Sequence, residues 1–189
     1  MNPPPTIYLI LGYPGSGKYT VACELVRQLE ELNRPARLID NHYVNNPIFN
    51  LMGVDGRTKL PAGIWPLIHQ FRSLLLETIE TYSPPELSFV LTNWIAATEQ
   101  EAPAYWERLQ QIAASRESRL VSVVLRCDPK ELAVRVPNED RRRRMKWIDP
   151  DAVVELTETV ELWDPGPPSA TIDNTDLSPA DCVARILEL

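Results

Sequence analysis

The segment Gly12-Tyr13-Pro14-Gly15-Ser16-Gly17-Lys18-Tyr19-Thr20 constrains this chain more than any other. Before it lies Thr6-Ile7-Tyr8-Leu9-Ile10-Leu11, a short apolar run of β-forming residues. After it, Val21, Leu25, Leu29 and Leu32 recur at the three- and four-residue spacing of an amphipathic helix. A strand, a glycine-rich turn and a helix in that order form the context of a phosphate-binding loop. Glycines let the backbone bend around an anion without Cβ clashes. The bend turns several N–H groups inward, and the following helix adds the positive end of its dipole. Lys18 supplies a mobile cation for the outer phosphates. Gly12, Gly17 and Lys18 stand at the spacing this chemistry requires, so Gly12 to Thr20 is expected to grip ATP or a close relative.

The rest of the chain alternates in the same way. Further strands are expected at Ala36–Ile39, Leu87–Leu91, Leu120–Leu125 and Ala170–Ile172. Helices are expected at Ile64–Ile79, with Leu67, Ile68, Phe71, Leu74, Leu75 and Ile79 along one face, and at Pro103–Ala114. Asp128-Pro129, Asp149-Pro150 and Ser178-Pro179 each pair a capping side chain with a proline in the first turn, so a helix should start at each. Strands separated by helices imply right-handed βαβ units and a parallel α/β sheet. Ligands on such sheets bind beyond the carboxyl ends of the strands. At 189 residues, one domain spanning 1–189 is expected, with a lid segment at about 137–148.

Composition narrows the partners. The net charge of −7 disfavours non-specific nucleic-acid binding, although a local basic site stays open. Cys23, Cys127 and Cys182 are far apart and fit neither a disulfide framework nor a zinc site. The opening Met1-Asn2-Pro3-Pro4-Pro5 has no basic flank or apolar signal core. No apolar run approaches the roughly 20 residues that span a bilayer. The expectation is a cytoplasmic protein without a membrane partner.

One departure in the loop matters. Many such loops place Ser or Thr directly after the lysine as a magnesium ligand, and this chain has Tyr19 there and Thr20 next. The loop resembles that of adenylate kinases, in which Gly-Lys is followed by glycine and then threonine. That resemblance implies ATP with Mg2+ as cofactors, the metal being held through water, with Thr20 near it.

The resemblance extends along most of the chain, through Asp40-Asn41-His42, Thr92-Asn93-Trp94, Arg126-Cys127-Asp128-Pro129, the Arg141–Lys146 run and Ile172-Asp173-Asn174-Thr175. In these segments the chain looks like the nucleoside monophosphate kinase and shikimate kinase group. It is also similar to small bacterial AAA-family ATPase-like proteins of unsettled substrate. This implies a three-layer αβα sandwich, with a five-stranded parallel sheet in the order 2-3-1-4-5 and a short lid. Asp40 then stands where related kinases place an acid that orients or deprotonates the acceptor. Asn41, His42, Arg72 and Asn93 would line the acceptor side, and Asn174 the adenine side. The third strand ends in Thr92-Asn93, where many relatives carry a metal-binding aspartate.

Arg141-Arg142-Arg143-Arg144-Met145-Lys146 is the densest charge feature. By position it is a kinase lid, whose cations close over the transferring phosphoryl group. A helical run sends its side chains in different directions, so only one or two of them, taken as Arg141 and Arg144, can face the site. A solvated face and an RNA contact are the alternatives. The reading is an ATP-dependent phosphotransferase acting on a small molecule, with Lys18, Asp40, Arg141 and Arg144 as catalytic candidates. The rival readings are a nucleotide or RNA-end kinase and a non-catalytic nucleotide-dependent switch.

Overall fold

The computed structural model describes residues 3–167 and 169–189; Met1 and Asn2, read above as part of an opening without a signal core, lie outside them. Strand β1 (Thr6–Gly12) is buried along its whole length. Strand geometry sends alternate side chains to opposite faces. Ile7, Leu9 and Leu11 accordingly enter one core, and Tyr8 and Ile10 enter another. A strand covered on both faces must be apolar at nearly every position, and β1 is.

β1 pairs in parallel with β3 (Ser88–Asn93) on one side and with β4 (Arg119–Arg126) on the other. β2 (Ala36–Asp40) lies outside β3, and β5 (Ser169–Asp173) outside β4. The order is β2-β3-β1-β4-β5, and helices cover both sides of the sheet. The expected sandwich and strand order are both observed. Helices α1 (Lys18–Glu31) and α8 (Pro179–Leu187) supply the core on one face. Helices α3 (Trp65–Tyr82) and α4 (Ala102–Ser115) cover the other.

Two points add to or correct the sequence expectations. The segment after Asp40, where no element was expected, is a helix, α2 (Asn41–Met52). Asn45, Asn46 and Pro47 are poor helix formers, yet packing overrides their propensity. Val44 and Phe49 from α2 join Ile64 and Ile68 in a separate small core. The second point concerns α3, which buries Ile68, Leu76 and Ile79 and leaves Leu67, Phe71 and Leu74 exposed. Helical periodicity locates an apolar stripe, but tertiary packing decides how much of it is covered.

The short helices α5 (Pro129–Arg135), α6 (Glu139–Arg143) and α7 (Pro150–Thr159) follow β4 in turn. Asp128, Asn138 and Asp149 each cap one of them by accepting a backbone N–H, as their residue types favour. Among the described residues no helix is long and apolar enough to cross a membrane.

The turn that feeds β3 is closed from a distance. The buried guanidinium of Arg116 donates to the carbonyls of Ile79, Ser83, Pro84 and Leu87. Removing it strands these acceptors where water has little access. Arg116→Met is expected to lose about 3 kcal/mol of stability in chemical denaturation. A loss below about 1 kcal/mol would show that the turn does not depend on this clamp.

Candidate functional site

The glycine loop leaves the carboxyl end of β1, the central strand, where the chain paths diverge to either side; this is the switch point at which open α/β sheets bind ligands. Gly15 and Gly17 adopt φ of +89° and +84°, which L side chains rarely reach. A Cβ at Gly15 would also lie 2.7 Å from Val136 Cγ2. Gly17 caps α1 without a side-chain bond, so the first N–H groups of the helix are left for a ligand. The loop is buttressed from β5: the buried Asn174 donates from Nδ2 to the Ser16 carbonyl at 2.7 Å. Asn174, assigned to the adenine side, thus uses its side chain on the loop itself.

Lys18 Nζ donates to the carbonyls of Gly12 and Tyr13 at 2.7 and 2.8 Å. Burial, followed by the nearby cations Arg141 and Lys146, pushes its pKa from 10.5 down to about 7, against a smaller opposing pull from Asp40. Asp40 ends β2 and caps α2, with Oδ1 accepting the His42 N–H at 2.9 Å. Its other oxygen accepts from Lys146 Nζ at 2.7 Å, with the carboxylate 1% and the lysine side chain 10% exposed. Burial is the largest single influence and raises the Asp40 carboxyl, but the Lys146 charge and hydrogen bond together with His42 outweigh it and hold the group below the usual range. His42 lies 2.9 Å from Asn46 Oδ1 through Nδ1. Burial and the Lys146 charge lower its pKa to about 4, so the ring is neutral at pH 7.

The basic run divides its work. Arg142 and Arg143 are exposed beside Glu139, at 3.7 and 3.8 Å. Arg144 pairs with Asp140 at 2.8 Å and lies over the Tyr19 ring, 4.1 Å from its centroid. Arg141 donates to the Trp147 carbonyl at 3.1 and 2.7 Å; burial lowers its pKa to about 10. Lys146, which the sequence reading left among the run, is the member that reaches the centre. It also sits 4.5 Å from the Tyr19 ring centroid. Its backbone is seated by Gly56: Ile148 N–H donates to the Gly56 carbonyl at 3.0 Å, and a Cβ on Gly56 would lie 2.6 Å from the Lys146 oxygen. Arg135 turns elsewhere, binding Glu131 and the Thr175 carbonyl.

A narrow cleft of about 10 Å³, room for roughly one water, lies on the β2–β3 side of the loop. Asn41, Arg72, Thr92 and Asn93 line it with Val44, Leu75 and Tyr105. The Arg72 guanidinium lies over the Tyr105 ring, 5.4 Å from its centroid. Three of the four residues expected on the acceptor side therefore share this cleft, and Tyr105 joins them unforeseen. A second hollow opens on the β4–β5 side, between Arg126, Cys127 and Asp128 and the segment Asp173–Leu177. The loop lies between the two.

The donor set does not fit a directly held magnesium ion. Tyr19 replaces the small hydroxyl, Thr92 and Asn93 replace the acid at the end of β3, and Thr20 is exposed. The one nearby carboxylate, Asp40, is bound to Lys146. Among the described residues, no three His, Cys, Asp or Glu side chains cluster as metal ligands.

No family model and no curated protein sequence matches the chain. Solved structures do. The APS kinase CysC of Mycobacterium tuberculosis, in complex with AMPPNP and APS, aligns with a TM-score of 0.60 at 14% identity, over 99% of this chain and 98% of that one. Kti12 of Chaetomium thermophilum, in complex with ADP-AlF3, gives 0.58 at 16% identity, over 96% and 97%. Thymidylate kinase of Candida albicans gives 0.58 at 15%, over 100% and 92%. At these identities the likeness shows the fold, which is that of P-loop kinases.

The depressed Lys18 sets a pH dependence. Below pH of about 7 the folded and unfolded chains both carry its charge, and burial penalises the fold. Between about 7 and 10.5 only the folded chain has shed the proton, so this group's penalty fades as pH rises. A bound triphosphate favours the ammonium form. Its binding near pH 8.5 should therefore take up roughly one proton, read by calorimetry in buffers of different ionisation enthalpy. The uptake should vanish in Lys18→Ala. Binding without proton uptake by the wild type would contradict the burial of this lysine.

Proposed function

We propose that the protein is an ATP-dependent phosphotransferase that moves the γ-phosphoryl group to a small anionic acceptor. The observation that carries this reading is a lysine-bearing glycine loop at the carboxyl edge of the sheet, with a hollow of about 510 Å³ on its β4–β5 side. Transfer needs two ligands aligned across one phosphoryl group. The hollow has room for a nucleotide base, and the β2–β3 side, with about 10 Å³ free, must widen to admit an acceptor.

The ATP phosphates lie in the loop from Gly12 to Thr20, and the base occupies the hollow beside Arg126 and Asp173–Leu177. Lys18 leaves the loop carbonyls and neutralises the β and γ oxygens. Arg141 approaches from the lid segment. Two carboxylates, Asp40 and the more exposed Asp140, face the cations Lys18, Arg141 and Lys146, so positive charge is in excess here although the whole chain carries −7. An excess of buried cations is relieved by an anion, which supports a phosphate ligand. Asp40, committed to Lys146, orients that cation. The acceptor enters on the β2–β3 side, which widens to admit it; there Arg72 reads a carboxylate or phosphate by its planar fork and Asn41, Asn93 and Tyr105 fix its polar groups.

A small acceptor is favoured over an RNA end. The exposed Arg142 and Arg143 both lie beside Glu139, which offsets part of their charge and, with the net charge of −7, disfavours a nucleic-acid partner.

The test combines nucleotide titration with γ-labelled ATP and a panel of carboxylate- and phosphate-bearing small molecules. ATP should raise the melting temperature, and Lys18→Ala should weaken its binding on the order of 100-fold. One acceptor should take label, with its KM raised about 10-fold or more by Arg72→Met. Nucleotide binding without transfer to any acceptor would instead mark a switch. The absence of any nucleotide effect would overturn the reading.

A further inference from the structure

The loop presents a contradiction. Phosphoryl transfer at such a loop ordinarily relies on a divalent cation held by the small hydroxyl after the lysine and by an acid on a neighbouring strand. This chain has Tyr19 and Thr92-Asn93 at those places. A cation is nevertheless present. Lys146 Nζ lies 2.7 Å from Asp40 Oδ2, and its side chain is 10% exposed.

The surroundings of Lys146 are built to hold it. Tyr19, in the position of the missing hydroxyl, offers its ring face at 4.5 Å, an attraction that strengthens when water is excluded. Met145, just before it, adopts φ of +52°, and the Lys146 N–H donates to the Arg141 carbonyl at 2.9 Å. Gly56 packs against its carbonyl where a Cβ could not fit. Its contact with Tyr19, the residue next to Lys18, brings Lys146 to the end of the loop, near enough for its charge to depress Lys18.

We propose that Lys146 is the resident cation of the phosphate site: held by Asp40 and Tyr19, its ammonium neutralises ATP phosphate oxygens in place of a protein-held metal ion. The same substitution explains Tyr19, which serves as the platform for the lid cations. It explains Asp40 as well, whose carboxylate anchors an ammonium instead of a divalent ion. This inference rests on the reading of the loop as an ATP site.

The test measures ATP affinity by calorimetry in EDTA and in Mg2+, for the wild type, Lys146→Met, Lys146→Arg and the double variant Lys146→Met/Asp40→Asn. The double variant removes both buried charges together, so it keeps the test open if the single methionine variant does not fold. The wild type should bind with affinities within about 3-fold in the two conditions. Lys146→Met should lose about 10- to 100-fold in EDTA, and Mg2+ should restore most of the loss, because the bared Asp40 carboxylate becomes a metal ligand. Lys146→Arg should stay near the wild type. The double variant should lose affinity without restoration. Equal losses by Lys146→Met in both conditions would show a merely structural lysine and overturn the proposal. So would a wild type that loses more than about 10-fold in EDTA. A wild type that binds no ATP in either condition would sink the ATP-site reading itself, and this proposal with it.

Discussion

The site depends on a central strand that is covered on both faces. β1 sends alternate residues into two separate cores, so its direction and register are determined twice over. The strand ends at Gly12, and the chain must turn there without a bulky side chain: a Cβ on Gly12 would meet Ser16 Oγ at 2.5 Å and the Leu125 carbonyl at 3.1 Å. The loop is thus held from below by β1, from the side by Asn174 and above by Leu132 of α5 and Val136 just past it, which lie against Gly15. A phosphate cradle made of backbone groups needs such support, because its donors cannot be aimed by rotamers.

Around that cradle the chain concentrates positive charge that its composition would not suggest. Burial is the largest cause of the lowered Lys18 pKa, and the nearby cations Arg141 and Lys146 add to it. Asp40 balances part of this, and the Tyr19 ring lies against both Arg144 and Lys146. Such an arrangement is costly without an anion and favourable with one, which is what the proposed phosphate ligand would supply.

Much of this was legible in the sequence, for identifiable reasons. The loop and the three inner strands announce themselves through local chemistry: glycines at required φ, and mostly buried runs rich in apolar residues; the edge strands β2 and β5 are only partly buried and were read from shorter apolar runs. Asn41, Arg72 and Asn93 share a cleft because two of them lie at strand ends, which the fold class places together. What stayed hidden depends on contacts between distant segments. α2 was missed because Pro47 and its asparagine neighbours mask a helix that exists by packing Val44 and Phe49. Arg141 and Arg144 stood out by sequence, yet Lys146 reaches Asp40, because Met145 at positive φ and the contact with Gly56 redirect the chain. Gly56 in Asp55-Gly56 was a visible turn signal, but nothing local ties it to a lysine ninety residues later. Asn174 shows the same limit, since its partner Ser16 lies 158 positions away.

The most direct measurement of the central claim is a structure of the chain with a non-hydrolysable ATP analogue. The account predicts the triphosphate within the Gly12–Thr20 loop, the base beside Arg126 and Asp173–Leu177, and Lys18 turned from the loop carbonyls to the outer phosphates. Lys146 should lie within hydrogen-bonding distance of a phosphate oxygen while keeping Asp40. A triphosphate bound away from the loop, or a loop that admits none at saturating ligand, would contradict it.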